Sequence, residues 1–422
     1  MQTSLAAFIR DTAEGKEAES ILRACVHCGF CTATCPTYQL VGDELDGPRG
    51  RIYLIKQVLE GTPATTTTRD HLDRCLTCRA CETTCPSGVR YGRLADIGRQ
   101  VVEAQVPRTG GDRLLRQALR TVLPRPALFG PMLSAARALK PLLPAALANK
   151  VPPRRAAGTR PAPRHARRML VLEGCVQPAI APGINAAAAR VLDRLGVSLV
   201  AAPAAGCCGA VTHHLNAHDA ALDQMRRNVD AWWPAIEGGA EAIVITASGC
   251  GAMVKEYAAL LAHDPDYAAR AARVTGLSRD LSEVVAAELA RPGAALPPRP
   301  APGRRVAFHA PCTLQHALRL RGKVEPMLAA LGLEPTEVPD AHLCCGSAGT
   351  FSILQPDLSR RLLEQKVAAL KSDAPMSILT ANIGCLGHLQ AGFDLPVEHW
   401  IEAVDRLWPD GHEPDEPGHP AQ

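Results

Sequence analysis

No run of about 18 consecutive apolar residues occurs in the 422-residue chain, so the sequence offers no membrane-spanning helix. The first fifteen residues also lack an apolar core and carry Arg10, Asp11 and Glu14, which does not fit a secretory signal. No G-x-G-x-x-G follows a strand to open a helix, so nothing marks a dinucleotide or flavin site in this chain. Aromatic residues make up only 4%, and the most basic stretch lacks the interleaved aromatics on which bases stack, so no nucleic-acid partner is expected. Acidic residues vanish from Arg113 to Arg168, and cysteine vanishes between Cys85 and Cys175. Hydrophobic residues at 47% exclude a disordered chain, and the length points to two to four domains.

What is present is cysteine: sixteen residues, eight between Cys25 and Cys85 and eight between Cys175 and Cys385. A reduced, cytoplasmic chain does not use so many as disulfides, so metal or redox chemistry is the better explanation. The segment without acids carries thirteen Lys or Arg against a whole-chain net of +4, leaving the remainder net acidic. Its start, from Arg113, places apolar residues at helical spacing; Pro124, Pro126, Pro131, Pro141 and Pro144 are expected to break its middle into short pieces. Its end, from Val151, reads as a Pro-, Ala- and Arg-rich linker. A solvated connector is one reading; a basic amphipathic patch on anionic lipid is the other.

Two runs carry the first eight cysteines: Cys25-Val-His-Cys28-Gly-Phe-Cys31-Thr-Ala-Thr-Cys35-Pro36 and Cys75-Leu-Thr-Cys78-Arg-Ala-Cys81-Glu-Thr-Thr-Cys85-Pro86. Both are C-x2-C-x2-C-x3-C-P, the run that ligates [4Fe–4S] clusters in bacterial ferredoxins. Three thiolates two residues apart curl around three corners of a cube, and the fourth reaches the other cluster. One cluster is therefore expected on Cys25, Cys28, Cys31 and Cys85, and the second on Cys35, Cys75, Cys78 and Cys81. Paired zinc sites are disfavoured, because zinc ribbons pair two C-x2-C hooks rather than repeat a four-cysteine run. The 39 residues between the motifs, with helices expected from Leu5 to Leu22 and from Arg51 to Glu60, fit a helical ferredoxin domain better than a compact β-rich one.

The second eight cysteines repeat. Cys175 precedes Cys207-Cys208 by 32 positions, and Cys312 precedes Cys344-Cys345 by the same 32. Gly209 and Gly346 follow the pairs, and Cys250 and Cys385 close each copy. Strands are expected at Met169-Leu-Val-Leu, Val197-Ser-Leu-Val and Ala242-Ile-Val-Ile-Thr, then at Arg305-Val-Ala-Phe-His, Thr336-Glu-Val and Met376-Ser-Ile-Leu-Thr. Parallel sheets would gather the following loops at one edge, bringing Cys175, Cys207, Cys208 and Cys250 together in one copy and Cys312, Cys344, Cys345 and Cys385 in the other. Each set is a candidate metal or cluster site; a buried inert thiol cluster is the bland alternative. Glycines beside the pairs would let backbone approach a ligand. His213, His214, His316 and His388 rank below the cysteines, since a lone histidine is more often structural.

These residues resemble known families. The N-terminal motifs are similar to the helical ferredoxin domains of glycerol-3-phosphate dehydrogenase, succinate dehydrogenase and heterodisulfide reductase subunits. The Cys-Cys-Gly repeats resemble the cysteine-rich domains of the heterodisulfide reductase superfamily. The whole resembles the iron–sulfur subunits of glycolate oxidases, through Gly42-Asp-Glu-Leu-Asp-Gly-Pro-Arg-Gly-Arg51, the second motif with Ser87-Gly-Val-Arg-Tyr-Gly92, His342-Leu-Cys-Cys-Gly-Ser-Ala-Gly-Thr350 and Asn382-Ile-Gly-Cys-Leu-Gly-His388. One departure stands out: heterodisulfide reductase repeats end in C-x-x-C, whereas these end in Cys250-Gly-Ala-Met253 and Cys385-Leu-Gly-His388.

The resemblance implies an α+β multidomain chain: an α-helical ferredoxin domain at 1–110 with two [4Fe–4S] clusters, a basic helical linker at 111–167, cysteine-rich α/β domains at 168–300 and 301–410, and a tail at 411–422. It implies an electron-transfer subunit with no catalytic residue of its own. A partner subunit would hold FAD and oxidise glycolate, and this chain would pass electrons to a quinone-linked or other membrane acceptor, so it should not turn over glycolate alone. Further clusters in the cysteine-rich domains are compatible with it. The expected location is cytoplasmic, peripheral on the inner face of the cell membrane. The competing readings are the iron–sulfur subunit of a D-lactate or glycerol-3-phosphate dehydrogenase, a heterodisulfide reductase-like catalytic subunit, and a zinc-binding interaction module.

Overall fold

The structure, a computed structural model, describes residues 1–144, 148 and 151–408. The expected tail at 411–422 lies outside the described residues.

The N-terminal part is helical. Helices Ala13–Ala24, Pro48–Leu59, Thr66–Asp73 and Tyr91–Gln105 enclose a core that includes Ile21, Leu22, Ile55, Leu59, Leu94 and Ile97. The expected helix from Leu5 to Leu22 is two helices, Ala7–Arg10 and Ala13–Ala24. Thr12 caps the second, its Oγ1 accepting from the Gly15 amide at 2.9 Å. The cap is a local device that apolar periodicity does not register. The expected helix at Arg51 starts earlier, with Pro48 in its first turn, where the missing amide proton costs nothing. Helices Pro48–Leu59 and Tyr91–Gln105 cross so closely at Gly98 that a Cβ there would lie 2.5 Å from Ile55.

The C-terminal part is two sheets of one design. In the first, β1 (Arg168–Val171), β2 (Ser198–Ala201), β3 (Ile243–Ile245) and β4 (Ser278–Asp280) are all parallel, in the order β2-β1-β3-β4. In the second, β5 (Arg305–His309), β6 (Glu334–Pro335), β7 (Ser377–Thr380) and β8 (Val397–His399) repeat that order. Five of the six expected strands coincide closely. The sixth, expected at Thr336, forms two residues earlier and is shorter. Strands β4 and β8 were not expected, because Ser-Arg-Asp and Val-Glu-His are short and polar and give no apolar run.

The two sheets share one core, joined by helix Gly183–Arg194 and helix Trp400–Asp405. Polar ties cross between them as well. The Ser248 amide donates to the Ala381 carbonyl at 3.1 Å, and Asp405, almost fully buried, receives Arg190 at 2.6 Å and Arg194 at 2.7 Å.

The basic segment forms helices Gly110–Val122 and Pro126–Ala138. Pro131 lies inside the second helix instead of breaking it, while Pro126 starts that helix. The stretch from 151 to 167 has no regular structure, but it is pinned down: Arg160 pairs with Glu173, Arg164 with Asp193, and Arg167 with Glu241 and Glu288. The positive charge that looks unbalanced in sequence is partly neutralised by acids from the first sheet domain.

Candidate functional site

The two N-terminal motifs turn through left-handed backbone. His27 and Gly29 in the first motif, and Thr77 and Arg79 in the second, have positive φ. Such residues reverse the chain tightly, so thiols two positions apart point to one place. The result is two adjacent cavities. The first, about 440 Å³, is lined by Cys25, Cys28, Cys31 and Cys85. The second, about 360 Å³, is lined by Cys35, Cys75, Cys78 and Cys81, and Cys81 also borders the first. Each cavity thus receives three thiols from one motif and the last thiol of the other. Burial pushes Cys31 up to about 11, and neighbouring Cys25 adds to it.

The second cavity is built around a buried cation. Arg51, fully enclosed, donates through Nε to the His71 carbonyl at 2.7 Å and through Nη1 to Thr37 Oγ1 at 3.2 Å. Asp46 holds it in place, ion-paired with Arg51 at 3.5 Å and Arg74 at 2.9 Å and hydrogen-bonded to His71 at 2.9 Å. These residues are the ends of the Asp46-Gly-Pro-Arg-Gly-Arg51 stretch, which gives that stretch its structural meaning. Burial alone would raise Cys75, but the Arg51 and Arg99 charges and the Tyr91 hydroxyl, donating at 3.5 Å, outweigh it and lower its pKa.

In the cysteine-rich domains the thiols gather at the carboxyl edge of each sheet, as parallel strands require. Cys175 and Cys207-Cys208 follow β1 and β2 in loops, while Cys250 and Cys385 sit in the first turns of helices Ser248–Lys255 and Ile383–Gln390 rather than in loops. In the first copy Cys207 accepts hydrogen bonds from Cys175 and Cys208, which bring it down to about 4, and Cys208 neighbours Cys250. In the second copy Cys312 donates to Cys344 at 3.9 Å, Cys345 lies beside Cys344 and Cys385, and Asn382 Nδ2 donates to Cys385 at 3.4 Å. The glycines of the pairs serve packing as well as turning. Gly346 has φ +91°, and a Cβ there would lie 2.5 Å from the Ser359 carbonyl; Gly209, at φ +94°, faces the Ala221 carbonyl.

The two groups of cysteines meet at one place. Cys78 packs against the buried cluster formed by Leu76, Cys312, Cys344, Phe351 and Leu362. The second ferredoxin cavity therefore abuts the second cysteine-rich copy.

The four histidines separate into two kinds. His316 bridges Thr83 Oγ1 at 2.9 Å and the His342 carbonyl at 3.2 Å, and His388 pairs with Ser359 at 3.2 Å, so both hold segments together. His213 and His214 instead gather on buried Asp96, at 3.4 Å and 3.8 Å, with His218 against His213 at 3.2 Å. Burial would raise Asp96, but hydrogen bonds and charge from His213 and His214 hold it well below the carboxylate range. This group borders a cavity of about 480 Å³ between the ferredoxin helices and the first cysteine-rich copy, with Thr77, Arg79 and Glu256 on its walls. Sequence reasoning missed Asp96 and His218, which carry no motif spacing of their own, and it met Arg51 only as the end of a matching stretch. It also missed His309, although setting the two repeats side by side exposes it, since the matching position holds Leu172.

Comparison with known proteins agrees with this architecture. Residues 21–89 match the 4Fe-4S dicluster domain, and residues 169–255 and 306–390 each match the cysteine-rich domain. Fold and thiol sets together define an iron–sulfur protein with tandem cysteine-rich domains. The chain is 57% identical, over 96% of its length and 99% of the relative's, to the glycolate oxidase iron-sulfur subunit of Escherichia coli (strain K12). It is 29% identical, over 89% of its length and 90% of the relative's, to a Bacillus subtilis (strain 168) protein named "Probable glycolate oxidase iron-sulfur subunit". Lactate utilization protein A of Geobacillus thermodenitrificans is 28% identical over 53% of this chain and 92% of its own. The chain belongs to the family of glycolate oxidase iron–sulfur subunits.

Proposed function

We propose that this chain carries electrons within a flavin-dependent glycolate dehydrogenase and does not itself oxidise glycolate. One [4Fe–4S] cluster would be held by Cys25, Cys28, Cys31 and Cys85, the other by Cys35, Cys75, Cys78 and Cys81. The donor sets fit: the four thiols of each set line one cavity, and Arg51 and Arg99 place positive charge beside Cys75 of the second set. When bound, such clusters supply one-electron acceptance and release. The protein's own part is to hold the thiols converged, to set the charge around them and to exclude water.

The observation that carries this reading is the continuity of the thiols. The two cavities share Cys81, and Cys78 abuts Cys312 and Cys344. FAD is assigned to a partner subunit. Its docking place is the surface around exposed Cys28, where the apolar side chains of Val26, Phe30 and Tyr53 are also exposed. A flavin docked there would lie beside Cys28, the exposed thiol of the first set. The acceptor is a quinone or a quinone-linked membrane carrier. Helices Gly110–Val122 and Pro126–Ala138 expose Leu114, Leu128 and Met132 among arginines, and Leu139 and Leu142 are exposed just beyond them, which supports peripheral contact with the inner face of the cell membrane. None of the described helices is long and apolar enough to cross a membrane. The division into domains at 1–110, 111–167, 168–300 and 301–410 belongs to the same reading.

The test uses the anaerobic complex of this chain with its flavoprotein partner. Glycolate should bleach the cluster absorption of this chain and generate its reduced-cluster resonance signals. The purified single chain should turn over no glycolate. Turnover by the single chain, or clusters that stay oxidised while the complex turns over, would overturn the reading.

A further inference from the structure

The two cysteine-rich copies differ at a position close to their thiols. Three residues before the first cysteine of each copy stand Leu172 and His309. His309 ends β5 and is buried, only 2% exposed. Its Nδ1 is hydrogen-bonded to Thr380 Oγ1 at 3.0 Å, which fixes the ring. Its Nε2 is buried with no partner at all among the described residues. A ring nitrogen of His309, the Cys345 thiol and the Cys385 thiol lie within 4.8 Å of one another, and all three residues are buried. Cys344, beside Cys345 and 3.9 Å from Cys312, continues the same group.

A buried nitrogen with no partner is costly unless something occupies it. Thr380 stands behind this ring as the outer support that metal-bound histidines characteristically have. Thiolate with imidazole is the donor set of zinc and of iron.

We propose that His309 is a metal ligand, and that the second cysteine-rich site binds iron or zinc through mixed sulfur and nitrogen donors, with Cys345, Cys385 and His309 as its core. The first copy, with Leu172 in that place, is an all-sulfur site. The inference rests on no step of the electron-transfer reading. About eight irons in the two N-terminal cavities would remain even if His309 bound nothing.

The experiment uses the full chain purified anaerobically, with histidine labelled with nitrogen-15. Metal content and X-ray absorption at the iron and zinc edges identify the metal. Pulsed resonance on the reduced protein detects imidazole nitrogen bound to iron, and a nitrogen shell at the zinc edge detects it on zinc. The expected result is a histidine nitrogen donor in the wild type that disappears in His309→Leu. Cys385→Ser should lose metal from the same site, while Cys250→Ser in the first copy should leave the nitrogen signal intact. His309→Leu installs the side chain that the first copy already carries there, and unfolding curves verify that it folds. His309→Cys should restore metal content with an all-sulfur shell. Purely sulfur shells in the wild type, or a nitrogen signal that survives in His309→Leu, would overturn the proposal. The nitrogen signal in the wild type is read without any variant, so a variant that fails to fold does not leave the question open.

Discussion

The two cysteine-rich copies share strand order, cysteine spacing and a glycine after each cysteine pair, yet their surroundings are not equivalent. The second copy meets Cys78 of the ferredoxin part and contains His309. The first copy supplies His213, His214 and His218 around Asp96 of the ferredoxin part, and has Leu172 at the matching place. The repeated spacing determines where four thiols converge. It does not determine what else converges with them, because those neighbours come from other elements of the chain. Two sites of one design are thereby free to do different work.

The sharpest way to break this comparison is to remove one thiol from each copy. If only the second copy lies beside the electron path, Cys344→Ser should lower glycolate-driven acceptor reduction by more than about tenfold, the usual range for a lost metal ligand or its support. Cys207→Ser, its counterpart, should reduce activity far less. Steady-state assays of the complex with a soluble acceptor give both numbers. Equal losses would show that the two sites act in series or serve stability alone.

A second test uses the capping residues at the two edge strands, which stand at matching positions and titrate in opposite senses. Asp280 ends β4 and caps helix Leu281–Leu289; His399 ends β8 and caps helix Trp400–Asp405. Burial raises Asp280 to about 6 and lowers His399 to about 4. The folded state therefore keeps a proton on Asp280 that the unfolded chain has lost, so its contribution falls as pH rises from about 4 to 6. His399 stays neutral in the fold while the unfolded chain gains a proton, so its contribution falls as pH drops from about 6.5 to 4. Each effect is worth about 3 kcal/mol at one pKa unit per 1.4 kcal/mol, and in the wild type they oppose each other. Asp280→Asn should make stability rise more steeply with pH than in the wild type. His399→Gln should make it fall. Chemical unfolding at pH 4 and pH 6.5 checks this, and parallel pH profiles for the two variants would refute it.

The next effect is smaller and separates the two ferredoxin cavities. Arg51 stands beside Cys75 of the second set, and no equivalent fully buried cation stands beside the first among the described residues. Arg51→Met should lower the midpoint potential of the second cluster by tens of millivolts and leave the first unchanged, as read by redox titration. The variant must also be checked for folding, since it leaves Asp46 with one cation fewer.

How much of this was legible in the sequence depends on the range of each interaction. The motif cysteines and the repeat were readable because their spacing is written along the chain. Strands β1, β3, β5 and β7 were readable because they are apolar and central. Strands β4 and β8 were not, because Asp280 and His399 serve as caps and their strands present no apolar pattern. Asp96 was invisible for a different reason. Its importance comes from a partner 117 residues away, His213, and no local pattern encodes such a contact.

The smallest predicted effect compares the two motifs at one backbone position. Gly29 and Arg79 occupy the same place and both have positive φ, +84° and +61°. Glycine adopts that conformation freely, while a side chain there costs about 1 kcal/mol or somewhat more. Arg79 compensates by reaching Glu256 on the first cysteine-rich copy, donating at 2.6 Å in a half-buried pair. Such a pair contributes about 1 kcal/mol at most after solvent screening. Arg79→Ala keeps the strain and loses the pair, so it should destabilise by about 1 kcal/mol. Arg79→Gly loses the pair but also the strain, and should be close to neutral in denaturant unfolding. Finding both variants equally destabilised would mean that the left-handed turn carries no strain, and that Arg79 stands there only for its contact with Glu256.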